Sequence, residues 1–191
     1  AIDRTAIYSS GSGTSNLVFS YTVQDGDNSL DLEYSSTTAL GLNGGSIADT
    51  SLINSSLVLP TMNLTGSLSF NKNIVIDTTS PKIIGASINS NNSFIDVSFS
   101  EPVYTTIGAG ALTIADLQLV FNQNGGNASD AVITSLKTIS GNTLVGGEII
   151  VRVNIQVTGI PIGLETVTLI AKEDEIFDLP GNVMSNLETS N

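Results

Sequence analysis

Cysteine, histidine and tryptophan are all missing from this chain of 191 residues. Without cysteine or histidine there is no thiolate or imidazole nucleophile, no histidine-based triad, and no zinc, haem or iron–sulfur site of the usual kinds. A chain without disulfides also needs another staple, or a core large enough to do without one. Aromatic residues are only 5% of the sequence, which speaks against sugar clefts built on aromatic platforms and, with them, against a glycosidase reading of the acids. Basic residues are scarce as well: six against eighteen acids, for a formal charge of −12 at pH 7. Such a chain repels phosphate backbones, so nucleic acid is excluded as an expected partner. No apolar run approaches the ~20 residues of a membrane-spanning helix; the longest, such as Leu17-Val18-Phe19, are brief and interrupted. No leader segment is recognisable, which implies a mature or excised piece.

What is present is material for a packed core and a strict two-residue rhythm. Apolar residues make up 40% of the chain and the mean hydropathy is +0.25. In "NLVFSYTV" Leu17, Phe19, Tyr21 and Val23 share one face; in "IIVRVNIQV" Ile149, Val151, Val153, Ile155 and Val157 alternate with Arg152, Asn154 and Gln156. "FIDVSFS" and "ETVTLIA" behave alike, as half-buried antiparallel strands do. Asn43-Gly44, Asn91-Asn92, Asn124-Gly125 and Gly141-Asn142 punctuate them as turns. Only Thr113–Asp116 reads as a helix start, with room for a single turn. The fold class is therefore all-β, of sandwich type.

A boundary falls at "VIDTTSPKII", where Pro81 forces Ser80 into an extended conformation and makes a short, stiff linker. Two domains follow, 1–78 and 79–191. The second offers strands at 82–88, 94–100, 116–122, 131–139, 148–158, 165–171 and 183–188. The first offers about five, among them 16–23 and 72–76.

The stretches "GSGTSNLVFSYTVQDGDNSLDLEYSSTTALGLNGGSI…NKNIVIDTTSP" and "FSEPVY…GALTIADLQLVFNQNGGNAS…IFDLPGN" resemble tandem bacterial immunoglobulin-like modules of large secreted and cell-surface proteins, including adhesins and motility-associated surface proteins. The resemblance covers essentially the whole chain. It implies two tandem immunoglobulin-like β-sandwiches, an extracellular location, and a non-enzymatic structural or adhesive role as part of a stalk, adhesin or surface filament. It also implies neighbouring modules or identical chains as partners. In the first domain "DTSLIN" stands where the family has a D-x-x-G-N turn, and the opening strands equivalent to 82–100 are missing. That domain should therefore be incomplete, with an open edge and an uncovered apolar face. Three arrangements would close it: earlier strands cleaved from this piece, cover by its own 60–76 segment, or strands donated by another chain.

The acids raise the question of a cation. "KEDEIFDLPGNVMS" packs Glu173, Asp174, Glu175 and Asp178 beside a Pro-Gly turn. In a sandwich whose strands alternate up and down, the loops holding Glu101, Asp178 and Asn182 share one pole. Counting back from 72–76 brings the Asp25–Asp27 loop and Asp77 toward the same junction. Asp25, Asp27, Asp77, Glu101, Asp178 and Asn182 are thus the expected metal ligands, and calcium, which takes six to eight hard oxygens, is the expected ion. The competing reading is a solvated turn in which Asn182 caps the loop, with charge serving solubility alone. Glu173 and Glu175 read as solvent-facing residues at a strand end. The alternative to a spacer is a ligand-binding tip module for a carbohydrate or protein. A Lys82-based crosslink and glycosylation at Asn54, Asn63, Asn91 or Asn127 are weaker readings.

Overall fold

The computed structural model describes residues 3–187 and 189–190. The chain is all-β with antiparallel sheets and divides into two compact units, 1–79 and 80–191.

Among its described residues unit 2 carries six strands: β3 Ile83–Ile88, β4 Phe94–Val103, β5 Leu117–Asn122, β6 Asp130–Lys137, β7 Glu148–Thr158 and β8 Thr166–Ala171. Four of them make one sheet, ordered β3-β4-β7-β6, and β5 pairs with β8 in a second. The alternation in the sequence decides which side chains turn inward. Ile95, Val97 and Phe99 of β4 and Val151, Val153 and Ile155 of β7 are buried, and Leu117, Leu169 and Ala171 meet them from the second sheet. Apolar surface removed from water contributes roughly 25 cal/mol per Å², and in this chain that gain is concentrated here. Phe99, with no exposure, lies at the centre. Phe99→Ala is expected to cost about 3–5 kcal/mol through lost burial and the cavity left behind, measurable by chemical denaturation.

The outward face of β4 and β7 is polar by the same alternation. Arg152 makes a bidentate pair with Asp96 at 2.8 and 2.7 Å, and its guanidinium lies 3.7 Å from the ring centre of Phe94. The Thr113–Asp116 segment forms a turn, not a helix: the buried Asp116 carboxylate accepts the Thr113 N–H at 2.6 Å. Of the expected strand at 183–188, Glu188 lies outside the described residues; the others form no regular strand, with an isolated bridge from Val183 to Phe177 and another just beyond, from Thr189 to Ile170.

Unit 1 departs further from expectation. Its regular strands are β1, Ile7–Ser10, and β2, Val18–Ser20, an antiparallel pair in which Tyr8 and Phe19 pack edge to face at 6.0 Å. The segment read as strand 72–76 contributes a single bridge, Ser29 to Ile76. A four-residue helix, α1 Leu68–Asn71, precedes it, its first turn capped by Ser67. The physical reason lies in burial. Among the described residues of unit 1 only Asp27 and Ser67 are buried, and both are polar. Leu17, Phe19 and Val23, which the rhythm places on one face, are 38%, 41% and 48% exposed. A period-two segment holds as a long strand only when a second layer covers its apolar side.

Candidate functional site

The stretch Asp178-Leu179-Pro180-Gly181-Asn182 closes on itself. Gly181 sits at φ +105°, a conformation open chiefly to glycine, and this bends the backbone so that several donors point at Asp178. Its Oδ1 accepts the N–H groups of Gly181 at 2.7 Å and Asn182 at 2.6 Å, and its Oδ2 accepts the Asn182 side-chain amide at 2.7 Å. The Asp178 N–H in turn donates to the Asn182 carbonyl at 3.1 Å. Buried Ile176 and Met184 anchor either side of the loop, joined by a 2.8 Å backbone bond. Asp178 itself has no solvent exposure, a costly position for a carboxylate unless donors or a cation compensate it.

A non-local contact brings a second acid to it. Tyr104, just past the end of β4, bridges to Phe177 with reciprocal backbone bonds of 2.8 and 2.9 Å. This sets the end of β4 beside the loop, and a carboxylate oxygen of half-buried Glu101 lies within 4.8 Å of one from Asp178. Within unit 2 the structure thus unites Glu101, Asp178 and Asn182. Their oxygens are hard donors of the kind calcium prefers. Glu173, Asp174 and Glu175 are all exposed, as expected of a solvated strand end.

The other three expected ligands lie in unit 1. Asp25 is exposed at the tip of its loop. Asp27 is buried and committed to its own surroundings: Oδ1 meets Arg4 Nε at 2.7 Å, while Oδ2 accepts the Tyr21 hydroxyl and the Gln24 N–H. The Tyr21 hydrogen bond first, then that of Gln24, hold its carboxyl down at about 2. Asp77 is half-buried, with Oδ1 accepting the Thr79 N–H at 2.9 Å. The 24–27 loop does face the connecting segment, since Thr78 Oγ1 accepts the Gly26 N–H and donates to the Asp27 carbonyl.

Two further acids with the same anchoring habit were not anticipated. Glu33 accepts from the Ser69 N–H and hydroxyl at 3.1 and 2.6 Å and the Leu68 N–H at 3.3 Å, fixing α1. Desolvation pushes its carboxyl upward, but the Ser69 and Tyr34 donors outweigh it and hold the group at about 2. Glu165 accepts the Ala128 N–H at 2.9 Å and those of Ile162 and Gly163 at 3.0 and 3.2 Å. The Ala128 bond is the largest cause of its descent to about 2. No side chain fits between this carboxylate and residue 126: a Cβ on Gly126 would meet it at 2.1 Å.

These shifts carry a sign. A carboxylate whose folded pKa lies below its unfolded value stabilises fully above the unfolded value and loses that contribution as pH falls through the folded one. For Glu165 the window runs from the ordinary 4.5 down to about 2. Glu165→Gln is expected to lower the thermal midpoint at pH 7 and to flatten its decline between pH 5 and 2, followed by circular dichroism. An unchanged acid profile in the variant would contradict the assignment.

No protein-family model, no curated protein and no solved structure matches the chain.

Proposed function

We propose that the chain is a non-enzymatic structural or adhesive part of an extracellular bacterial surface protein, its units immunoglobulin-like modules in tandem. The observation that carries this reading is the use made of the acids. Asp27, Glu33, Glu165 and Asp178 each accept two or more backbone or side-chain donors from the surrounding fold, which is the work of a scaffold. A general acid or base must instead face a substrate with a proton to exchange. Calcium held by Glu101, Asp178 and Asn182 belongs to this reading, because a second carboxylate beside a buried one favours a cation between them. The exposed apolar side chains of unit 1 are, on the same reading, the surface on which a neighbouring module or identical chain packs.

The test of location is antibody labelling of intact, unpermeabilised source cells with serum raised against the purified chain. Surface labelling is the expected result; signal only after permeabilisation would refute the reading. The test of inertness is a hydrolase and transferase panel, in which turnover lost on Glu101→Gln or Asp178→Asn would overturn it.

A second reading, a ligand-binding tip, draws on one feature: a shallow depression of about 590 Å³ on the outer face of the four-stranded sheet, lined in part by Ser87, Asp96, Ser98, Ile150 and Arg152. Saturable binding to a glycan array, abolished by Arg152→Ala, would favour it.

A further inference from the structure

Asparagine is followed by glycine at two places, Asn43-Gly44 and Asn124-Gly125, and the backbone treats them nearly alike. Both are exposed central pairs of type I′ turns, with φ of +45° and +83° in the first and +49° and +79° in the second. Each turn closes with one backbone bond, from the Gly45 N–H to the Leu42 carbonyl at 2.8 Å and from the Gly126 N–H to the Gln123 carbonyl at 2.7 Å. Beside both Gly44 and Gly125 the space a Cβ would take is open.

What differs is the bracing. Asn124 follows closely on the last pair of the β5–β8 ladder, Asn122 with Thr166, and its side-chain amide donates to Thr166 Oγ1 at 3.2 Å. The Gln123 amide donates to the Gly126 carbonyl at 3.0 Å, and Gly126 is buried against the Glu165 carboxylate. Around Asn43 none of this is found. Among the described residues no hydrogen bond holds its side chain, and no regular strand flanks its turn.

We infer that Asn43 is a site of spontaneous modification, converting to aspartate and isoaspartate while Asn124 is protected by its surroundings. The reaction needs only water and hydroxide. The Gly44 backbone nitrogen gives up its proton to hydroxide and attacks Asn43 Cγ. The new C–N bond closes a five-membered succinimide, and the side-chain nitrogen takes a proton from water and leaves as ammonia. Water then opens the ring at either carbonyl, so that one water is consumed and one ammonia released overall. Glycine suits the step because it has no Cβ to shield the attacking nitrogen. In a type I′ turn, however, that nitrogen points away from the side-chain carbonyl, so the turn must open before the ring can close. The rate follows the population of the opened turn. At Asn124 opening also breaks the Gln123 and Thr166 bonds and disturbs buried Gly126; at Asn43 it breaks little beyond the turn's own bond. Each conversion adds a negative charge to a chain already at −12, and isoaspartate also lengthens the backbone by a methylene. The modification thereby marks the age of a chain. This inference does not rest on the surface-module reading.

The test is site-resolved mass spectrometry of the purified full chain held in mildly alkaline buffer, with isoaspartyl labelling as a second readout. Asn43 is expected to convert about tenfold or more faster than Asn124, the difference that two further hydrogen bonds of ordinary strength represent. In denaturant, where neither turn persists, the two rates should converge. Thr166→Val, which removes the acceptor of the Asn124 amide, should speed conversion at Asn124 and leave Asn43 unchanged. Asn43→Ser should abolish the early acidic form that ion exchange resolves from the parent chain. Equal native rates at the two positions, a faster Asn124, a gap that persists unchanged in denaturant, or an early acidic form that survives Asn43→Ser would overturn the inference.

Discussion

Calcium at a hundredfold excess over its dissociation constant is expected to raise the midpoint of thermal unfolding by about 10 °C. Binding to the folded state alone contributes RT ln(1 + [L]/Kd), about 2.7 kcal/mol at that excess, and for units of this size each kcal/mol moves the midpoint by a few degrees. A chelator should reverse the gain. Asp178→Ala also removes three hydrogen bonds within the loop, so its baseline falls whether or not an ion binds; the informative quantity is the calcium-induced increment. That increment should shrink sharply in Asp178→Ala and Glu101→Ala. It should survive in Asp27→Ala, because the Asp27 carboxylate already carries a cation of its own, the Arg4 guanidinium at 2.7 Å, whose charge a calcium ion would have to displace. A melting curve indifferent to millimolar calcium would end the proposal.

The second large effect concerns the two units. Protection against amide exchange should differ between them by several orders of magnitude. In unit 2 the amides of β4 and β7, held in a central ladder over Val97, Phe99, Val151 and Val153, should exchange only through global unfolding, whose free energy is about 5–15 kcal/mol in typical domains. In unit 1 no described apolar side chain is buried, so local opening exposes little that was not already wet. The amides of Ile7–Ser10 and Val18–Ser20 should exchange within the dead time of a manual experiment. Slow exchange in both strands would mean that the unit is sealed in solution by something that covers Leu17, Phe19 and Val23.

The strands of unit 2 could be read almost position by position. The 148–158 expectation coincides with β7, and 82–88, 94–100, 116–122, 131–139 and 165–171 each overlap an observed strand. Alternation works there because two sheets close on one core, so most inward residues have a partner; Ile88 and Ile149, toward strand ends, remain half exposed. The same pattern in 16–23 yields only three strand residues, since alternation records which face wants covering and is silent on whether anything covers it. In the 183–188 segment the described residues hold to their neighbours at the start, where Val183 bridges Phe177 and the Met184 N–H donates to the Ile176 carbonyl, without forming a regular strand.

The candidate site divides in the same way. Asp178 and Asn182 are local, and a carboxylate four residues ahead of an asparagine across Pro-Gly announces a closed loop. Glu101 joins them through the Tyr104–Phe177 bridge, a contact across more than seventy positions; the up-and-down alternation of strands puts its loop at the same pole, but no residue spacing encodes the bridge that brings the carboxylates close. Glu33 and Glu165 escaped notice because most of their partners are backbone N–H groups, which nearly every residue has; nothing in composition distinguishes the donors at Leu68, Ala128 or Ile162.

Those anchoring carboxylates tie together positions far apart in the chain: Arg4 with Asp27, Glu33 with Ser69, Ala128 with Glu165. A cystine-stapled domain of comparable size would loosen in a reducing compartment and depend on an oxidising one to mature. Here the cross-ties exchange protons rather than electrons. The fold should form equally well with or without a thiol reductant, need no disulfide isomerase, and pass between oxidising and reducing surroundings without a change in stability.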